Sequence, residues 1–286
     1  MTAALGDAPR PPAVLAVDAV RLLRERTWLR SLGLVAMFAL LCGFLGRWQW
    51  NRHLERVQAA DQVIANYDAA PVPLVQLLPT PDASMPPSVQ WRQATISGTY
   101  LADRTVLIRN RPFNGDYGYE VVVPLRTTSG AVLLVDRGWL PNGTSGAHPD
   151  AVPAPPTGQV DVVTRLRPSE PADNRSAPAG QAATINVPAL AANLTGPTYR
   201  AYAVLAQESP ATSAAPRPLA RPDTDLGNNL AYALQWWFFA TGAVILLGYY
   251  AFREAQNRDL RARGLDPVEL RRQRKLSRRE PAEEEW

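Results

Sequence analysis

Two stretches without a charged residue, 31–46 and 226–252, stand near opposite ends of this 286-residue chain, with a long polar region between them. A membrane-crossing helix needs ~20 mostly apolar residues. The second stretch meets that length by itself. Trp236 and Trp237 lie toward one end and Tyr249 and Tyr250 toward the other, roughly where interfacial aromatics sit. The first stretch is short, and reaches full length when Trp28 and Leu29 join it and Arg30 snorkels toward the headgroups. A cleaved signal peptide would need small residues behind its apolar core. Gly46-Arg47-Trp48-Gln49-Trp50 reads instead as an interfacial belt, so the expectation is an uncleaved anchor. Two crossings would put both chain ends on one side of a bilayer and the region between them on the other.

Charge gives that arrangement a direction. Residues 1–30 carry five Arg against three acids, and residues 253–279 carry ten Arg or Lys against four. The middle, 31–252, is balanced at fifteen of each. Basic excess marks cytoplasmic flanks, so both termini are expected in the cytoplasm and the central region outside it. Arg47, Arg52 and Arg56 argue mildly the other way, but the C-terminal excess is larger. The formal charge of +4 then belongs to the tails and does not indicate nucleic-acid binding, which calls for a basic patch on a folded domain. The single cysteine, Cys42, lies in the first span and excludes an internal disulfide. One Lys (Lys275) among thirty basic residues, with abundant Ala and Pro, points to a GC-rich, bacterial source and hence to a bacterial cell membrane.

Local patterns divide the chain into a leader (1–27), a first transmembrane helix (28–47), a helical extension with a Pro-rich linker (48–88) and a β-rich domain (89–209). A second Pro-rich linker (210–225), a second transmembrane helix (226–252) and a charged tail (253–286) follow. In the leader, 14–23 reads as a short amphipathic helix on the membrane surface. Trp50, Leu54, Val57 and Ile64 share a helical face beyond the first span. Six prolines within 71–88 argue against regular structure there. Period-two alternation then predicts strands over 91–100, 105–109, 119–125, 131–136, 159–167 and 199–207, with a short helix over 188–194. The fold class is a membrane protein whose two transmembrane helices flank an extracytoplasmic β-rich (α+β) domain, a small antiparallel sheet or barrel. The Pro-rich segments 149–156 and 210–222 read as solvated loops, with an arm laid along a partner as the alternative. In the tail, helices are expected to about Arg263 and from Asp266-Pro267, with an acidic end at Glu283 to Glu285.

Catalytic constellations are not evident. Cys42, His53 and His148 are too scattered for a zinc site, and neither usual form of glycine-rich phosphate loop is present. No carboxylate pair stands out. The residues alone therefore indicate a membrane-anchored binding domain, with no catalytic residue and no metal site assigned.

Four separated stretches add a family. Gly46-Arg47-Trp48-Gln49-Trp50-Asn51-Arg52, with Arg56 beyond it, is similar to a Gly-x-Trp-Gln-x-x-Arg motif. Gly115-Asp116-Tyr117-Gly118-Tyr119-Glu120-Val121 with Pro124-Leu125 is the second, and Arg137-Gly138-Trp139-Leu140-Pro141 the third. Asn228-Asn229-Leu230-Ala231-Tyr232-Ala233 with Trp236 is the fourth. Together, over roughly residues 28–252, they resemble the Surfeit-locus (Surf-one) family of cytochrome c oxidase assembly proteins. The resemblance implies a non-catalytic assembly or stabilising factor acting on the oxidase catalytic subunit at the bilayer, with haem A as a transient cofactor. A permanent accessory subunit of the oxidase or a respiratory supercomplex is the alternative. Arg52, His53, Arg56 and Tyr232 are the candidates for haem A; Trp48, Trp50, Arg137, Trp139 and Trp236 are the candidates for partner contact. Family members often carry a histidine in the last motif, where this chain has Asn229. An amide is a poor axial ligand for haem iron.

Overall fold

The structure, a computed structural model, describes residues 10–144, 146, 148–173 and 175–277. The start of the leader and the acidic end at Glu283 to Glu285 lie outside the described residues. The chain forms two compact units, one within Met1–Glu55 and Gly227–Trp286 and the other Arg56–Leu226.

The first unit is helical. It holds α1 (Pro12–Leu22), most of α2 (Arg26–Asn66), α5 (Asn229–Ala262) and α6 (Pro267–Ser277). Both α2 and α5 are long and apolar enough to cross a membrane, and only 11% and 6% of their most apolar windows are buried. A core helix of a soluble protein would be covered. These two expose Leu34, Met37, Leu40 and Phe44 on α2, and Phe238, Val244 and Ile245 on α5. Helices with bare apolar flanks of this length belong in lipid or against other membrane helices. At 34 residues, α5 is about 50 Å long, well beyond the ~30 Å hydrocarbon core. Its last turns therefore project past the apolar layer. There Ala251 and Ala255 receive Ala19 and Leu22 of α1, with Leu23, Trp28 and Phe252 around them.

The second unit is a closed barrel. Its strands are β1 (Val72–Pro73), β2 (Gln93–Tyr100), β3 (Val106–Phe113), β4 (Asp116–Thr127), β5 (Val132–Pro141), β6 (Gln159–Pro168), β7 (Gln181–Ala182) and β8 (Thr198–Ser209). The ring runs β2-β6-β8-β5-β4 and returns to β2 through the pairs Gly98–Thr127, Thr99–Arg126 and Tyr100–Leu125. Within the ring only β5 and β8 are parallel. Gly98 permits the closure: a Cβ there would strike the Arg126 carbonyl.

Alternation sorts the wall into two cores. Val121, Val123, Leu125, Leu133 and Val135 point into the barrel with Ala94, Ile96, Val160, Val162 and Leu166. Val122, Leu134 and Tyr202 point outward, where Ile108, Ile185 and Val187 cover them. The cover comes from β3 and from the segment carrying α4 (Val187–Ala191), which Asn186 caps by accepting from the Ala189 amide. The first Pro-rich linker is a correction. Residues 71–88 hold β1 and α3 (Leu74–Leu77), and Leu74 and Leu78 are buried in the barrel core. Proline starts and stops these short elements without keeping the segment off the domain. The second linker is also corrected in part: Arg217 exchanges backbone hydrogen bonds with Trp139, both at 2.8 Å, and Pro216 is buried. In the 149–156 segment Pro149, Pro155 and Pro156 are buried as well, so this loop is packed on the domain.

Charged groups close the outer core. Arg111 Nε lies 2.9 Å from Glu120 Oε2, and its Nη2 lies 2.6 Å from Glu170 Oε2. The Ile185 amide also donates to Glu170, at 2.8 Å. Asp136 is buried and accepts from the Gly138 amide at 3.0 Å. Burial raises its carboxyl well above the usual range, and the neighbouring Glu120 adds to the rise. Burial likewise raises Glu120, against the opposing pull of Arg111.

Gly98→Val should lower barrel stability by about 1–3 kcal/mol, because the added methyls meet backbone that cannot move aside; thermal and urea unfolding of the detergent-solubilised chain check this. Asp136 carries a pH signature. An aspartate titrates near ~3.9 when unfolded, and its folded value lies above that. The folded chain then holds more protons, so stability falls as pH rises from about 4. Asp136→Asn keeps the acceptor for Gly138 and removes that slope. Its unfolding midpoint should exceed the wild type at pH 8, and the gain should vanish toward pH 4.

Candidate functional site

The helix pair is antiparallel. Trp28, Ser31 and Val35 of α2 line one groove with Ala243, Leu246, Tyr250 and Arg253 of α5. Farther along α2, Gly46 and Trp50 meet Trp237. Rising numbers on one helix thus meet falling numbers on the other. This places the leading end of α2 beside the trailing end of α5, as a two-crossing hairpin requires.

The close approach is at Gly46. A Cβ there would overlap the Trp237 indole, so only glycine admits that ring. Trp50, one turn on, sets its ring centroid 6.0 Å from that of Trp237. Gln49 and His53 fall on the same side of α2, at i+3 and i+7 from Gly46. The His53 ring lies 5.9 Å from Trp50. Gln49 Oε1 and His53 Nδ1 are both buried without a hydrogen-bond partner, which is costly for polar atoms unless something joins them.

The haem A candidates do not converge. Arg52 is exposed and pairs with Glu55 at 3.1 Å. Arg56 is exposed on α2, and Tyr232 is half exposed on α5. The groove of about 660 Å³ between α2 and α5 is lined by none of the four. His53 alone combines burial with a free ring nitrogen, so the fit to a haem rests on one residue.

The partner candidates separate into two groups. Trp48 is 49% exposed, and Trp236 is half-buried with its ring edge-on to Phe239. Arg137 and Trp139 are corrections. Trp139 is 1% exposed, stacked on Phe113 at 5.0 Å, with Gly118 beneath it and its Nε1 donating to the Arg111 carbonyl at 2.9 Å. Arg137 forks onto Glu208, Nη2 to Oε1 at 2.7 Å and Nε to Oε2 at 3.3 Å, and its Nη1 donates to the Pro153 carbonyl. The Tyr100 hydroxyl donates to the same Glu208, and burial raises that phenol far above its usual range. Gly138, at φ +130, brings the Arg217 carbonyl against the strand. The Arg-Gly-Trp motif is therefore an internal clasp, because its charge and its ring are consumed inside the domain.

Trp237, Gly46 and Gln49 were not among the expected site residues. Gly46 lay inside a motif, but nothing in one sequence says which tryptophan of the second span it would meet.

Comparison with known proteins agrees in extent with these features. The SURF1 family model matches residues 36–241, from inside α2 through the barrel into α5. SURF1-like proteins of Mycobacterium tuberculosis and Mycobacterium bovis are each 35% identical over 247 residues, 84% of this chain and 89% of the relative. The cytochrome oxidase assembly protein SHY1 of Saccharomyces cerevisiae is 30% identical over 122 residues, 41% of this chain and 30% of the yeast protein. With the closed barrel and part of each flanking helix inside one match, and bacterial relatives aligned along most of their length, this chain belongs to the SURF1 family.

Proposed function

We propose that this protein is an assembly factor for a haem–copper cytochrome c oxidase, working by binding at the bilayer on the catalytic subunit. The helix pair carries the reading: two antiparallel helices, locked at Gly46–Trp237, keep broad apolar flanks open to other membrane helices. Membership of the SURF1 family and the yeast relative's name support the oxidase as its target. Binding rather than catalysis suits the barrel, whose charged side chains Arg111, Glu120, Glu170, Arg137 and Glu208 are engaged with one another. In this reading both termini lie in the cytoplasm, and the barrel acts on the outer face.

A permanent accessory subunit of the oxidase or of a supercomplex is the competing arrangement. Co-purification at modest salt separates the two. A factor accompanies immature oxidase, whereas a subunit follows the mature enzyme in fixed stoichiometry.

Haem A as cargo is a second reading, supported by the unpartnered Nδ1 of His53 beside Trp50. Imidazole is a favoured axial ligand, and the exposed Arg52 and Arg56 are guanidinium groups of the kind that bind propionates.

Gly46→Leu should force α2 and α5 apart at the Trp237 ring, at a cost of roughly 1–3 kcal/mol. In cells lacking the wild-type gene, this variant should restore less mature oxidase than wild type at equal membrane abundance. Oxidase difference spectra and immunoblots check it; full restoration would remove the helix pair from the mechanism. Separately, the protein purified from cells making haem A should show a Soret band that His53→Ala abolishes. A wild-type preparation without the band would end the haem reading while leaving the assembly role standing.

A further inference from the structure

The short helix α1 has two apolar faces, and the fold uses one. Leu15, Ala19 and Leu22 recur at i, i+4 and i+7 and are buried, with Ala19 and Leu22 packed on Ala251 and Ala255 of α5. Ala13, Ala16, Val17 and Val20 recur at i, i+3, i+4 and i+7 and stay bare, with Val17 53% and Val20 58% exposed. Asp18 and Arg21 share the remaining arc with Val14, which is 44% exposed, and pair with each other at 3.6 Å.

The direction of α1 follows from its ion pairs. Arg10 Nε lies 3.1 Å from Asp259 Oδ1, and Glu25 Oε1 lies 2.6 Å from Arg258 Nη1. Residues before and after α1 thus meet adjacent residues of α5. A helix lying along α5 would meet positions many turns apart, so α1 lies across it. The crossing falls where the apolar run of α5 ends, since Phe252 is its last residue before Arg253. It also falls just ahead of α2, which begins at Arg26 and turns apolar from Ser31. Arg21, Arg24, Arg26 and Arg30 are exposed around this level.

We infer that α1 is an interfacial helix whose bare face of Ala13, Ala16, Val17 and Val20 is seated in the bilayer, at the boundary of acyl chains and anionic headgroups. A helix across a spanning helix, at the depth where its charge begins, lies near the plane of the membrane surface. An apolar arc bordered by arginines is the composition such helices carry. The occupant is lipid because the bare face lies at the level where two apolar spans end, with Arg21, Arg24, Arg26 and Arg30 exposed around it to complement phosphate. The helix then holds the membrane from outside while Arg10–Asp259 and Glu25–Arg258 hold it to α5.

The full chain lends itself to a site-directed test, since Cys42 is its one cysteine and Cys42→Ala gives a clean background. A nitroxide is placed at Val17→Cys, Val20→Cys or Arg21→Cys, and the protein is returned to vesicles of mixed zwitterionic and anionic phospholipid. Labels at Val17 and Val20 should be several-fold more accessible to oxygen than to a water-soluble nickel chelate relative to the label at Arg21. Equal access by both reagents would place this face in water. Access by neither would place it under protein. Either result overturns the inference. Ala13→Cys and Ala16→Cys replace exposed small residues, and supply the same readout if a valine variant does not fold.

Discussion

The barrel's first and last segments are tied together at Tyr67. Arg165 stacks on the Tyr67 ring at 3.8 Å and Arg221 at 4.8 Å, while Arg221 also pairs with Asp68 at 2.7 Å. The Tyr67 carbonyl accepts from Gln93 Nε2 and Arg165 Nε, and Asn66 donates to the Ser88 and Gln90 carbonyls. Beside it, Trp91 holds a positive φ of 68° under the Arg167 guanidinium, 4.0 Å away. Such a backbone costs of order 1–3 kcal/mol and persists only where the surroundings fix it. The result joins α2's end to β2 and β6, and brings the outgoing segment at Arg221 to the incoming one at Tyr67. Entry and exit of this unit therefore lie side by side, held by two guanidinium groups on one tyrosine ring without a disulfide.

Closing the sheet solves one problem and creates another. The ring leaves β2, β4, β5, β6 and β8 without bare edges inside the barrel, but its outer face near Val122, Leu134 and Tyr202 is as apolar as its interior. The chain between β6 and β8 covers this face, and the cover brings Glu170 to Arg111. The buried carboxylates thus arise from how the second core is capped. Burial raises Glu120 and Asp136 as an active-site acid would be raised, yet Glu120 faces the Arg111 guanidinium, which accounts for its retention. A perturbed carboxyl here reports packing, which is why the functional argument rests on the helices.

Much of this was legible in the sequence. Six strands lie where alternation placed them, and β3, β4 and β5 run past the expected limits because Phe113, Asp116 and Pro141 pair across the sheet. Lone residues with little β-propensity are carried into strands by their neighbours. The Pro-rich segments misled in the opposite sense. Prolines report local conformation, and nothing local announces that Leu74 and Leu78 reach the barrel core or that Arg217 pairs with Trp139. The same limit hid the partners of Arg137 and Trp139: the Arg-Gly-Trp motif is internal because Glu208, Phe113 and the 216–217 backbone close over it. In the helical unit, the spans were legible from charge and length, whereas the Gly46–Trp237 contact depends on the azimuth of one helix against another.

Three glycines show how the elements close on one another. Gly46 admits an indole between helices, Gly118 admits another beneath β4, and Gly98 admits a neighbouring backbone. In each case a missing side chain makes room for a group that locks two elements, and in two of the three that group is a tryptophan. The residues that give these motifs their recognisable form therefore serve closure of the scaffold. Among the described residues, the surface open to another molecule includes Trp48, the flanks of α2 and α5, and the unpartnered nitrogen of His53. The space left at glycine thus fixes the helix pair and the barrel each within itself, and leaves the flanks of the helix pair as the apolar surface open to other membrane components.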